Sequence, residues 1–221
     1  MNRLPAPILR HLAALRALLV LTVICGIAYP LLVTGIAQAA FKDKADGSLI
    51  KDAKGQSVGS ALLCQEFVDA KGNPLPQYFQ PRPSNAILAG STNDHGCDPA
   101  QSGGSNLGTN SDKLKQQVAD RQKTMAAFDS VPGHSVTPGQ VAVDAVTASA
   151  SGLDPDISPL NAAQQEHRIA ATRGITAAQV EALVKANTGG RDLGLLGESG
   201  VNVLQLNLAL DAQYPYTGKY R

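Results

Sequence analysis

Apolar and polar positions divide this chain into two unequal parts. From Ala17 to Phe41 no charged residue interrupts a run rich in Leu, Val, Ile and Ala, and at 1.5 Å per residue a helix of that length covers the ~30 Å hydrocarbon core of a bilayer. Beyond Phe41 the pattern is short and broken. Residues 42–54 are polar and Val58–Leu63 is strand-like. Residues 69–110 are punctuated by Asn73-Pro74, Pro76, Pro81, Pro83, Asp98-Pro99 and Gly103-Gly104, which block long helices and strands. A loop of that length inside a compact domain is usually functional or ordered by a partner.

Periodicity returns after this loop. Asn110 or Ser111 caps a predicted helix running to about Phe128, with Leu114, Val118, Met125 and Phe128 near one face. Val141–Thr147 reads as a strand. Ser158-Pro159 supplies the N-cap and first residue of a second helix that ends at Gly174. In the third helix Thr176 and Gln179 form a capping box, Ile175 and Val180 occupy staple positions, and Gly189-Gly190 is the stop. Leu204, Leu206, Leu208 and Leu210 alternate with Gln205, Asn207 and Ala209, which favours a strand and leaves a helix open. No repeat or low-complexity linker splits residues 42–221. The expected fold class is therefore α+β: an N-terminal stretch (1–16), one transmembrane helix (17–41) and a single mixed α/β extracytoplasmic domain (42–221).

Charge supplies the orientation. Arg3, Arg10 and Arg16 precede the span, whereas Lys42, Asp43, Lys44 and Asp46 follow it and all eighteen acidic residues lie beyond Phe41. That asymmetry places the N-terminus in the cytoplasm. The rival reading is a cleaved signal peptide, because Ala37-Gln38-Ala39 has the small-x-small form of a cleavage site. The uncharged run exceeds the ~7–15 residues of a secretory apolar region, which favours a retained anchor. Within the span, Pro30 cannot donate to the carbonyl of Gly26, implying a kink or a local contact for that oxygen. Gly26, Pro30 and Gly35 form either a small-residue surface for a neighbouring helix or a tolerated kink facing lipid.

With no Trp, four Phe and five Tyr in the whole chain, the domain has a thin core that a binding partner would supplement. After Phe41 there remain sixteen basic against eighteen acidic residues, a balance that argues against nucleic acid. Cys25, Cys64 and Cys97 lack CxxC spacing, and His11, His95, His134 and His167 are each isolated from another ligand at metal-like spacing, so no metal site is expected. No G-x-S-x-G elbow is present, and the chain is not expected to be an enzyme on its own. Asp144, Asp154 and Asp156 suggest a hard-cation site by chemistry, but Asp154-Pro155 is a turn dipeptide and Ser158-Pro159 a helix start favoured by an acidic neighbour. Ser102-Gly103-Gly104-Ser105-Asn106-Leu107-Gly108 has the glycines and hydroxyls of an anion cradle without the Lys or spacing of a P-loop, so a bare Gly-rich turn is the stronger reading.

Seven ordered blocks bear a resemblance to one family. They are Tyr29-Pro30-Leu31-Leu32 with Thr34-Gly35; Tyr78-Phe79-Gln80-Pro81-Arg82-Pro83-Ser84; Ser102 to Gly108; Asp144-Ala145-Val146-Thr147-Ala148-Ser149; Ser151-Gly152-Leu153-Asp154-Pro155; Ile157-Ser158; and Val201-Asn202-Val203-Leu204 with Leu206-Asn207. Together they resemble the C subunit of the Kdp potassium-transporting P-type ATPase. The resemblance implies a non-catalytic accessory subunit of a high-affinity, ATP-driven potassium importer. It would be single-pass in the cell inner membrane, with a periplasmic domain. Its implied partners are a channel-like potassium-selective subunit, an ATP-hydrolysing subunit and membrane lipid. It also implies a catalytic chaperone that raises nucleotide affinity, with ATP at Ser102, Gly103, Gly104, Ser105 and Asn106, a stretch similar to the signature loop of ABC transporters. The charge asymmetry instead puts that loop across the membrane from cytoplasmic ATP, favouring a structural or gating role near the outer potassium entrance. The alternative is a membrane-anchored periplasmic binding module unrelated to transport.

The sequence departs from the family pattern twice: Thr109 follows Gly108 where a proline is usual, and Cys64 stands before Gln65 where glycine is expected. Cys64 and Cys97 are the two cysteines outside the span, and in an oxidising compartment they are expected to form a disulfide. The alternative is two free or partner-buried thiols. A reporter fused after Arg221 is expected to be active only outside the cytoplasm, on an uncleaved chain; a mature protein starting near Ala40 would show the signal-peptide reading to be right.

Overall fold

The computed structural model describes residues 5–52, 54–87, 95–191 and 193–218, and among these the side chain of His95 is not described. Arg3 and Arg221, invoked above for topology, lie outside the described residues. The chain divides into two compact units, Met1–Leu49 and Ile50–Arg221.

In the first unit, α1 (Ala6–Val23), a π turn (Ile24–Ala28) and α2 (Tyr29–Ala40) run on without a break. This 35-residue helix, Ala6–Ala40, is long and apolar enough to cross a membrane. It starts well before the uncharged run, because the backbone ladder needs helix-forming residues rather than apolar ones, and Pro7 sits where a first turn tolerates it. The sharp kink open to Pro30 is replaced by the π turn, in which the Tyr29 N–H reaches the carbonyl of Ile24. The wider turn is one of the local adjustments by which a membrane-length helix accommodates proline. A single turn, α3 (Lys42–Ala45), follows.

The second unit mixes short strands and helices. β1 (Leu49–Lys51) pairs with β2 (Ser57–Ser60), and β3 (Ser84–Ala86) runs parallel to β4 (His95–Cys97) with Ser84 opposite His95. Next come α4 (Asp112–Asp129), a 3₁₀ turn (Pro138–Gln140) and α5 (Val143–Val146). They are followed by β5 (Asp156–Ile157), α6 (Pro159–Arg173), α7 (Ala177–Ala186), β6 (Thr188–Gly189), β7 (Gly200–Asn202) and α8 (Val203–Gln213). β5, β7 and β6 form an antiparallel sheet in that order, Ile157 and Thr188 both facing Val201 in register. The fold is α+β.

Helix ends follow local chemistry. Ser111 caps α4 by accepting the Leu114 N–H, Ser158 caps α6 through Asn161, and Gly174 closes α6 at φ +69°. Thr176 and Gln179 make the expected capping box of α7, with Ile175 packed beside the buried Val180. The helix ends at Ala186 rather than at Gly189-Gly190, because Thr188 and Gly189 pair with β7 instead.

Two expected strands are helices. Across residues 141–147, Val141, Ala145 and Val146 are buried while Val143 is 75% exposed. That spacing suits one helical turn against α4. At 203–213 the buried residues are Val203, Leu204, Leu206, Asn207 and Leu210, and Val203, Leu206, Asn207 and Leu210 follow the helical i, i+3, i+4, i+7 spacing. The leucine alternation misled because it assigned Asn207 to the solvent phase. That amide is instead buried, accepting the Phe79 N–H at 2.9 Å and donating to the Phe79 carbonyl at 2.9 Å.

The apolar core, around Phe79, Ile157, Ile169, Val180, Val201, Leu206 and Leu210, is joined to a polar one. Arg168 is 1% exposed and Asp129 fully buried, with Arg168 Nε 2.8 Å from Asp129 Oδ1. The guanidinium also donates to the carbonyls of Pro76 and Tyr78 and to Gln165 Oε1, and lies over the Phe128 ring. Gln165 in turn accepts the Gln80 N–H and donates to the Gln80 carbonyl. The strandless stretch Pro76–Gln80 thereby has much of its backbone satisfied by side chains of α6 and α8. Asp129→Ala, which would strand a buried cation, is expected to destabilise the domain by about 3–5 kcal/mol, measured by chemical denaturation of the purified chain.

Candidate functional site

Several of the sequence blocks in the second unit converge on the turn Ser149–Asp154. Ser149 Oγ accepts the N–H groups of Gly152 and Asp154, and the Ser149 N–H reaches the Pro83 carbonyl. Ser84 Oγ donates to the Gly152 carbonyl at 2.7 Å and accepts the Ala86 N–H at 3.0 Å. Arg82 Nη1 lies 2.7 Å from Asp154 Oδ2. Val203 N–H meets the Pro155 carbonyl, and Asn202 Nδ2 donates to the Ala61 carbonyl.

The Ser-Gly-Gly-Ser loop belongs to this knot. Gly103 N–H and Ser102 Oγ both donate to the Ser151 carbonyl, at 2.8 and 3.0 Å. A Cβ on Gly104 would come 2.6 Å from the Ala150 carbonyl oxygen. Ser105 Oγ accepts the Leu107 N–H, and Asn106 turns the chain at φ +52°. The residues expected to cradle an anion are thus brought together, with the Gly103 N–H directed to protein rather than outward. Gly104 is required there by backbone proximity.

Other candidates separate. Asp144 accepts from Ser158 N–H, Ser158 Oγ and Asn161 Nδ2, holding the start of α6. Asp154 pairs with Arg82. The Asp156 N–H donates to Asp154 Oδ1, and burial raises the Asp156 carboxyl from the usual range, an Asn202 hydrogen bond opposing that and the Asp154 charge adding to it. Among the described residues, no group of three or more His, Cys, Asp or Glu could hold a metal ion. His134 and His167, read as isolated, stack with ring centroids 3.6 Å apart. Burial and the neighbouring His134 lower the His167 pKa. Nothing in their sequence spacing signals this pair, since the turn before the 3₁₀ segment and the face of α6 meet only in the fold.

Cys64 and Cys97 are joined as a disulfide with Cα atoms 5.7 Å apart across a sequence separation of 33. Such a ring stabilises a fold by roughly 3–4 kcal/mol on the chain-entropy estimate. The bridge lies at the same knot, since the Cys64 N–H donates to the Leu153 carbonyl at 3.1 Å.

Residues 11–212 match the family described as "K+-transporting ATPase, c chain". The chain belongs to that family. It is 47% identical over 204 residues to the "Potassium-transporting ATPase KdpC subunit" of Streptomyces coelicolor, covering 90% of each chain. The protein of the same description from Mycobacterium bovis is 48% identical over 200 residues, covering 90% of this chain and 96% of the relative. One from a Caulobacter species is 45% identical over 199 residues. Within this c chain family fold, Gly152 is the most constrained position of the knot. Its φ is +74°, and a Cβ there would fall 2.7 Å from the Gly103 carbonyl and 2.8 Å from Ala86 Cβ. Gly152→Ala is expected to cost more than about 2 kcal/mol. Gly108→Ala, with open space around it, should shift the denaturation midpoint little.

Proposed function

We propose that this chain is the accessory, non-hydrolytic subunit of an ATP-driven potassium importer. In this reading it is anchored in the membrane by Ala6–Ala40 with its N-terminus in the cytoplasm, and it acts on assembly or gating from the outer side. The match of residues 11–212 to the c chain family carries the reading. The thin core, and the loop bearing Leu193, Leu195 and Leu196 at 92, 82 and 62% exposure, suit a subunit whose apolar surface is covered by larger membrane partners. Those partners are a potassium-selective channel-like subunit and a P-type ATP-hydrolysing subunit. An effect on the ATP affinity of the hydrolysing subunit is transmitted, in this reading, through contact rather than through a nucleotide held at Ser102–Asn106.

An affinity-tagged chain extracted in mild detergent from potassium-starved cells is expected to bring down large polytopic partners. Recovery of the chain alone would instead support a binding module unrelated to transport. Calorimetry on the same chain should show no saturable ATP binding; binding abolished by Ser105→Ala would restore the loop as a nucleotide site.

A further inference from the structure

A cavity of about 240 Å³ lies between α4 and the segments around Glu66 and Gln80, and none of Ser102–Gly108 lines it. Val68, Pro74, Met125 and Phe128 give it apolar walls. Glu66 and Gln117 also line it, and each keeps a buried side-chain oxygen, Oε1 in both, without a protein partner. Unsatisfied buried acceptors destabilise a fold, so two of them on one cavity point to a ligand that brings donors.

The other ionisable groups on the cavity, Arg121 and Asp120, each have a protein partner. Arg121 Nη1 donates to the Val146 carbonyl, and both Asp120 oxygens accept from Gln116. Glu66 is therefore the carboxyl left for a ligand. Burial pushes it up to about 7, with no neighbouring charge contributing. A cation placed beside it would restore its ionisation. A ligand that offers several N–H donors and one positive charge on an apolar body suits Glu66, Gln117 and the apolar walls, and the cavity's volume admits roughly ten non-hydrogen atoms.

We propose that this cavity binds a primary ammonium carried on an apolar stem, with the ammonium between Glu66 Oε1 and Gln117 Oε1 and the stem against Met125 and Phe128. The same chemistry is offered by a free organic amine and by a lysine of a partner subunit.

Phenethylammonium titrated into the full-length chain in nanodiscs tests this. Saturable binding is expected, strengthening as pH rises through about 7 and levelling above it, because a raised carboxyl pKa means the ionised form appears only there. A primary amine stays protonated across that range. Glu66→Gln should weaken binding about tenfold or more and remove the pH dependence, while Gln117→Leu should weaken it by a smaller factor. Gln117→Leu removes a buried acceptor and Glu66→Gln keeps the acceptor while removing the cost of burying a charge, so unchanged or raised melting temperatures are expected and would certify the fold. Equal binding of the neutral isostere 2-phenylethanol, equal binding to Glu66→Gln, or no binding above empty nanodiscs would overturn the proposal, the last leaving water as the occupant. Binding to the lone chain that disappears in the assembled complex assigns the ammonium to a partner's lysine; binding in both assigns it to a free amine.

Discussion

The buried ion pair between Arg168 and Asp129 is the constraint around which the domain is arranged. A chain with few large rings and a long stretch of proline-punctuated loop cannot bury its backbone in sheets, yet Phe79 and Tyr78 must be inside to give it a core. Polar side chains resolve the conflict. Arg168, Gln165 and Asn207 act as surrogate strands, offering donors and acceptors where a neighbouring backbone would ordinarily stand. A cation with no counter-charge would be too costly so deep, so Asp129, at the end of α4, has to be brought to the same point. One electrostatic requirement thus ties α4, α6 and the loop into a single arrangement.

The same economy of regular structure explains the Ser149–Asp154 turn. Its neighbours approach through backbone rather than side chains, which is why glycine stands at 104 and 152 and hydroxyl groups at 84, 149 and 151. Residues that look like a ligand cradle in one dimension are, in three, the places where main chains touch. The disulfide between Cys64 and Cys97 closes the arrangement from the side. Chemistry at this knot is directed inward.

Legibility of the sequence tracked the range of the forces involved. Caps and staples act within a few residues, so Ser111, Ser158, Gly174 and Thr176 were readable directly. The membrane-length helix was readable from its uncharged run, though its start was not, since helical continuity does not depend on apolarity. Val141–Thr147 contains a helical turn where a strand is expected, and Leu204–Leu210, where alternation favours a strand and leaves a helix open, is helical; alternation there rests on the rule that polar residues face water. Asn207 breaks that rule because its partner, Phe79, is 128 positions away. The stacked histidines and the Glu66 cavity were hidden for the same reason, being assembled wholly from tertiary contacts.

The π turn at Ile24–Ala28 bears on how the apolar helix presents itself around its own axis. In an unbroken α-helix Gly26 and Gly35 would project about 180° apart, given roughly 100° per residue. The additional residue held in the wide turn takes up to about 100° out of that angle, swinging the two glycines toward a common side. The helix therefore carries a built-in rotational offset. Deleting one residue between Ile24 and Ala28 would restore ordinary winding and leave the two halves facing as they do, whereas tightening the turn with every residue kept would rotate one half against the other by up to about 100°.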